Sequence, residues 1–155
     1  MHKLISDLST GWGPQVPSLR RIGMDLVQIS RITDSLARFG ARFEQKLFTQ
    51  RELGYAQAAP AQAAERLAAR FAAKEAAIKA LGLSESGVSW RDLEVRRHPD
   101  GECDLVLHGR AAEIARRTGI TRVLLSLSHD GDYAGAVVAA LSDTAPLERF
   151  SESRS

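Results

Sequence analysis

Cysteine is nearly absent: Cys103 is the single one among 155 residues, so no internal disulfide can form and no thiolate cluster is available to hold a metal. No apolar run approaches the roughly 20 residues that span a bilayer, and the stretch before Arg21 lacks the apolar centre of a signal peptide. Neither charge sign dominates, with 21 Lys and Arg against 19 Asp and Glu for a formal charge of +2, which gives no general case for a nucleic-acid binder. Aromatics are only 6% of the chain, and no basic-aromatic interleaving surrounds Trp90, which reads as a packing residue rather than a stacking platform. These absences leave a soluble, cytoplasmic protein with no nucleic acid and no membrane among its partners. Its length suits one domain that buries about 68 to 70% of its unfolded-chain surface.

Organisation follows from punctuation and periodicity. Gly11, Gly13, Pro14 and Pro17 break regular structure, so residues 1–20 read as an N-terminal extension, 21–142 as the domain and 143–155 as a polar tail. A strand is predicted at 22–27 and a helix at 30–39, with Ile32, Leu36 and Phe39 on one face and Gly40 at its end. Thr49 and Glu52 have capping-box spacing, placing a short helix from there toward Ala56. An alanine-rich helix is predicted at 61–81, closed by Gly82, with Leu67, Phe71, Ile78 and Leu81 as its buried stripe. Strands at 92–97 and 104–107 flank a Pro99-Asp100-Gly101 turn, and a helix at 110–117 precedes strands at 123–128 and 133–141 around Asp130-Gly131.

Two features carry chemistry. Glu75 and Lys79 lie one helical turn apart, which describes equally a solvated ion pair of about 0.2 to 0.5 kcal/mol and two groups presented to a ligand. Arg70 and Lys74 repeat that spacing. Asp25 sits inside the apolar run Ile22-Gly23-Met24-Asp25-Leu26-Val27, where a carboxylate is disfavoured. Either alternation turns Ile22, Met24 and Leu26 inward and leaves Asp25 wet, or Asp25 and Glu75 converge on Mg²⁺, which typically takes one or two carboxylates together with waters and substrate phosphate oxygens.

The blocks Ile22-Gly23-Met24-Asp25-Leu26-Val27, Phe48-Thr49-Gln50-Arg51-Glu52-Leu53, Arg70-Phe71-Ala72-Ala73-Lys74-Glu75-Ala76 and Ser126-Leu127-Ser128-His129, in this order, resemble the holo-acyl-carrier-protein synthases, the single-module 4′-phosphopantetheinyl transferases. The resemblance implies an α+β fold, a twisted antiparallel sheet flanked by helices, assembled as a homotrimer with coenzyme sites between subunits. It implies Mg²⁺-dependent transfer of 4′-phosphopantetheine from coenzyme A to a serine of an acidic acyl carrier protein in fatty acid biosynthesis, releasing adenosine 3′,5′-bisphosphate. Asp25 and Glu75 match the family's metal ligands and Lys79 its diphosphate contact, these three forming the catalytic set. Arg70 and His129 match groups that meet the ribose 3′-phosphate, Ser128 is a further coenzyme contact, and Arg31 matches a carrier-contacting arginine. Glu75 is also a candidate to orient or deprotonate the serine through a water. Arg38 and Arg42 would extend the Arg31 face if the helix ran past Gly40, and Lys74 is the weakest member of the basic set.

The chain departs from the family pattern in four places. Gly82-Leu83-Ser84 replaces a Gly-Thr-Gly loop, Gln28 stands where a carboxylate is common, Gly101-Glu102-Cys103 replaces a Gly-Lys-Pro turn, and Asp130 follows His129 in place of threonine. Such changes suit a paralogue dedicated to one carrier, or a scaffold that binds without transfer; intact Asp25, Glu75 and Lys79 favour the enzyme.

Overall fold

The computed structural model describes residues 17–143. The expected extension and tail lie outside the described residues, apart from positions 17–20 and Asp143. Five strands and five helices follow in the order β1 (Ser18–Gln28), α1 (Ile29–Phe39), α2 (Ala41–Leu47), α3 (Gln50–Gln57), α4 (Ala63–Leu81), β2 (Leu93–Arg97), β3 (Cys103–Leu107), α5 (Gly109–Arg117), β4 (Arg122–Asp130) and β5 (Tyr133–Ser142), with short 3₁₀ turns at Pro60–Gln62 and Trp90–Asp92. The fold is α+β, as expected: β1, β5 and β4 form one antiparallel sheet in that order, and β2 and β3 form a separate hairpin.

α4 lies against the inner face of the three-stranded sheet, and small residues let it come close. Leu67, Ala68, Arg70, Ala72, Ala73, Lys74, Ala76, Ala77, Ala80 and Leu81 are all buried, so the helix is enclosed on several sides rather than along the single predicted stripe; Phe71 and Ile78 remain partly exposed. Opposite it, Ala134, Ala136, Val138 and Ala140 of β5 are buried. On β1 a Cβ at Gly23 would lie 2.0 Å from the Ala76 carbonyl oxygen and 2.9 Å from the Ala80 nitrogen. Glycine is therefore required where strand and helix backbones touch.

This contact decides the orientation of β1. Gly23 and Val27 face α4 with Asp25 between them, whereas Ile22, Met24 and Leu26 are 60%, 56% and 61% exposed. The alternation that would leave Asp25 on a wet outer face is thus reversed. The outer face is apolar: Ile22 pairs with Ala139, Met24 with Val137 and Leu26 with Gly135, and Leu124 of β4 continues it across Ala139.

Several element boundaries differ from the sequence expectation. β1 begins at Ser18, ahead of the predicted start. Gly40 has φ 51° and ends α1, but α2 starts at once, so Arg42 belongs to another helix and the Arg31, Arg38 and Arg42 face is not continuous. Pro60 begins a 3₁₀ turn, which delays α4 to Ala63. Asp130 pairs with Tyr133, so the hairpin turn is Gly131-Asp132, with Gly131 at φ 55°, rather than Asp130-Gly131.

The capping box of α3 forms as predicted and does more than cap. Glu52 Oε2 accepts from the Thr49 N–H at 2.9 Å and from Lys74 Nζ at 2.9 Å, while its Oε1 accepts from the Val95 N–H at 2.9 Å. Lys74 also donates to the carbonyls of Trp90 and Leu93. One buried ion pair therefore ties α3, α4 and β2 together, and Lys74 is structural. Trp90 stacks on Phe71 at 5.4 Å between ring centroids, in keeping with a packing role.

Candidate active site

With β1 pressed on α4, Asp25 arrives beside the helix turn that carries Glu75 and Lys79. Lys79 Nζ donates to the Met24 carbonyl at 2.8 Å and to Asp25 Oδ1 at 3.2 Å. Burial raises the Glu75 pKa above the ordinary carboxylate range and the negative charge of Asp25 raises it further, with Lys79 opposing. Asp25 and Glu75 thus set two carboxylates beside one ammonium at the meeting of β1 and α4. They line a cleft of about 440 Å³ together with Lys79, Gln28 and Arg31. No group of three His, Cys, Asp or Glu side chains placed to hold a metal occurs among the described residues. A pair of carboxylates nonetheless suits Mg²⁺, which retains several waters and fills its shell from phosphate oxygens.

The other predicted residues gather elsewhere. Arg70, Ser128 and His129 line a second cleft of about 630 Å³, bounded by α3, α4, the β2–β3 hairpin and edge strand β4. Its floor is cationic. The Tyr55 ring lies 4.1 Å from the Arg70 guanidinium carbon, 4.2 Å from that of Arg66 and 5.9 Å from that of Arg97. Arg66 is held by the Tyr55 carbonyl at 2.7 Å and Arg70 by the Arg66 carbonyl at 3.2 Å. Arg70 is 3% exposed, and its buried Nε has no hydrogen-bond partner. Burial lowers the Arg70 pKa from its usual value, with Glu52 and Tyr55 opposing. An arginine set packed on one ring, with a donor unspent, fits a phosphate. His129 Nε2 lies 3.5 Å from Glu65 Oε1, toward the start of α4, and Ser128 alternates with Leu127 along β4 on the same face as Leu124 and Ser126.

Asp25, Glu75, Lys79 and Arg31 are thus brought together, and so are Arg70, Ser128 and His129, but the two sets are not. The clefts share no lining residue, and β5 runs between the strands that carry Asp25 and His129. Sequence reasoning missed Tyr55, Arg66 and Arg97. Arg66 lies one helical turn before Arg70, a spacing that was available as a signal; Tyr55 and Arg97 reach the cleft only through the packing of α3 and β2.

Comparison with known proteins bears on the family and the fold. The 4′-phosphopantetheinyl transferase superfamily matches residues 21–138. A holo-[acyl-carrier-protein] synthase of Koribacter versatilis is 49% identical over 117 residues, covering 75% of this chain and 93% of that protein. The holo-ACP-synthase of Plasmodium yoelii has a TM-score of 0.73 at 27% identity, covering 83% of this chain and 98% of its own. An ACPS-CoA complex of Chronobacterium ammoniagenes has a TM-score of 0.68 at 34% identity, covering 77% and 95%.

Proposed function

Since the chain belongs to the holo-[acyl-carrier-protein] synthases of the 4′-phosphopantetheinyl transferase superfamily, we propose that its carboxylate cleft and arginine cleft are the two halves of one transfer site, completed between subunits. The enzyme moves 4′-phosphopantetheine from coenzyme A to an acyl carrier protein. The observation that carries the site reading is the convergence of Asp25, Glu75 and Lys79 from β1 and α4, with Lys79 Nζ 3.2 Å from Asp25 Oδ1 and the Asp25 charge acting on Glu75.

Asp25 and Glu75 would hold Mg²⁺. When bound, the ion supplies positive charge to the diphosphate of coenzyme A, where negative charge builds during transfer. Lys79, its ammonium beside Asp25, binds the same diphosphate and stabilises that charge. The carrier serine oxygen forms a new bond to the phosphorus next to pantetheine as the bond to the leaving phosphate breaks, releasing adenosine 3′,5′-bisphosphate. Glu75 takes the serine proton through a water. Arg70 and His129, with Ser128, Arg66 and Arg97 around them, hold the distal phosphate end of coenzyme A. Arg31, exposed on α1 in the carboxylate cleft, meets the acidic carrier.

Two observations support a homotrimer with intersubunit sites: the halves lie apart on one chain, and the sheet presents Ile22, Met24, Leu26 and Leu124 on an uncovered apolar face. A cytoplasmic location in fatty acid biosynthesis belongs to the same proposal, in keeping with the free thiol of Cys103.

Incubation of apo-carriers with coenzyme A and Mg²⁺ tests the transfer, mass spectrometry reading the added phosphopantetheine. Chelation abolishes the product, and Asp25→Ala and Glu75→Ala variants that stay folded lose most of it; wild-type rates in both variants would refute the metal assignment. Mixing inactive Asp25→Ala and His129→Ala subunits restores part of the activity, because some interfaces then carry both halves intact. No recovery on mixing exchangeable subunits would place each whole site within one chain.

A further inference from the structure

Helix α1 has no cap of its own. Its N-cap residue Gln28 makes no side-chain capping bond, and no acidic residue occupies the first turn. The cap comes instead from Asp132, in the β4–β5 turn and 102 positions away from Ser30. Asp132 Oδ1 accepts from the Ser30 N–H at 2.9 Å and its Oδ2 from the Ser30 hydroxyl at 2.6 Å. Its backbone carbonyl accepts from the Ile29 N–H at 2.7 Å. These bonds satisfy donors that the helix leaves open and set a carboxylate at its positive end. The Ser30 hydroxyl, foremost, holds the Asp132 pKa below the ordinary carboxylate range; desolvation opposes it, and the Ser30 N–H and the Gln28 side chain add to the lowering.

A cap borrowed from another element does what a local cap cannot. It ties the helix start to the sheet, so the rotation and entry angle of α1 are referred to the β4–β5 hairpin rather than to the preceding residue alone. Arg31 follows the doubly bonded Ser30 and lines the cleft that holds Asp25, Glu75 and Lys79. The same hairpin carries His129.

We propose that Asp132 is a positioning residue for the carrier substrate: its cap on Ser30 sets α1 so that Arg31 stands at the carboxylate cleft. The inference rests on the reading of Arg31 as a carrier contact. Asp132 itself touches neither substrate.

Steady-state kinetics of the full chain with coenzyme A, Mg²⁺ and an apo-carrier that the wild type modifies provide the test, with Arg31→Ala, Asp132→Ala, Asp132→Asn and the Arg31→Ala/Asp132→Ala double variant. Asp132→Ala raises the carrier KM about tenfold and the coenzyme A KM less than about twofold, a split that general loss of folding would not produce. Asp132→Asn, which keeps an oxygen for the Ser30 N–H, recovers most of the loss. In the Arg31→Ala background the second substitution adds nothing further, since both act through one contact. Additive effects, or parallel changes in both KM values with the melting temperature, overturn the proposal and leave Asp132 a structural cap. Arg31→Ala with an unchanged carrier KM overturns it by removing the contact on which it rests, whereas an effect of Arg31→Ala with none of Asp132→Ala refutes the positioning role alone.

Discussion

Lys74 Nζ lies 2.9 Å from Glu52 Oε2, and both side chains are fully buried. The pair joins α4 to α3, and the remaining polar atoms are met by Val95, Thr49, Trp90 and Leu93. Removing one partner strands a charge in the core, so Lys74→Ala or Glu52→Ala lowers unfolding stability by about 3 to 5 kcal/mol. The double variant Lys74→Met/Glu52→Leu recovers much of that loss, as chemical denaturation will show. A single-variant loss below about 1 kcal/mol would mean that water reaches the pair.

Gly23 is where β1 meets α4. In Gly23→Ala the new methyl would fall 2.0 Å from the Ala76 oxygen, so strand and helix must separate. A stability loss of about 3 kcal/mol follows, the upper part of the usual range for overpacking. Transfer activity falls further than stability predicts, because Asp25 moves away from Glu75. Thermal melts and single-turnover assays on the same preparation separate the two effects.

Arg97 stacks on Tyr55 with an exposed side, in contrast to buried Arg70. Its removal tests the arginine cleft without a core charge being stranded. Arg97→Ala raises the coenzyme A KM about tenfold, which corresponds to about 1.4 kcal/mol, and leaves the carrier KM unchanged. Coenzyme A lacking its 3′-phosphate loses that sensitivity if the phosphate is what Arg97 meets. Equal sensitivity with both compounds would assign Arg97 to another part of the coenzyme.

Glu94 supplies a pH dependence of stability. Burial acts to raise its pKa, but hydrogen bonds from Thr49, Arg96 and His108 outweigh it and bring the value down to about 2. A depressed carboxylate stabilises the fold above its unfolded pKa, and that contribution is lost as pH falls from about 4.5 toward about 2. The contribution at neutral pH is on the order of 3 kcal/mol. In Glu94→Gln the unfolding free energy therefore changes less steeply across that window; an unaltered slope would assign the acid transition to other carboxylates.

The lesson from α4 is that local chemistry was legible and facing was not. Alanine, Leu, Glu and Lys in sequence, then Gly82, specify a helix and its end, and the Thr49-Glu52 spacing specifies a cap that the structure contains. Which of two lysines one turn and one residue apart is buried could not be read, because Lys74 and Lys79 differ only in what packs against them. Lys74 meets α3 and β2, while Lys79 meets the Met24 carbonyl and Asp25. The same holds for Asp25, whose side of the strand depends on Gly23 touching α4.

Motifs and periodicity, being properties of short stretches of chain, were enough for the family, the α+β class and every helix and strand except α2, which the reading of Gly40 as a helix end passed over. Packing alone separates the candidate site residues into two clefts, brings Tyr55, Arg66 and Arg97 to one of them, and sets Asp132 as the cap of a helix on which it does not lie. Those facts depend on contacts between residues far apart in the chain, and the packing of α4 on β1 and β5 brings them about.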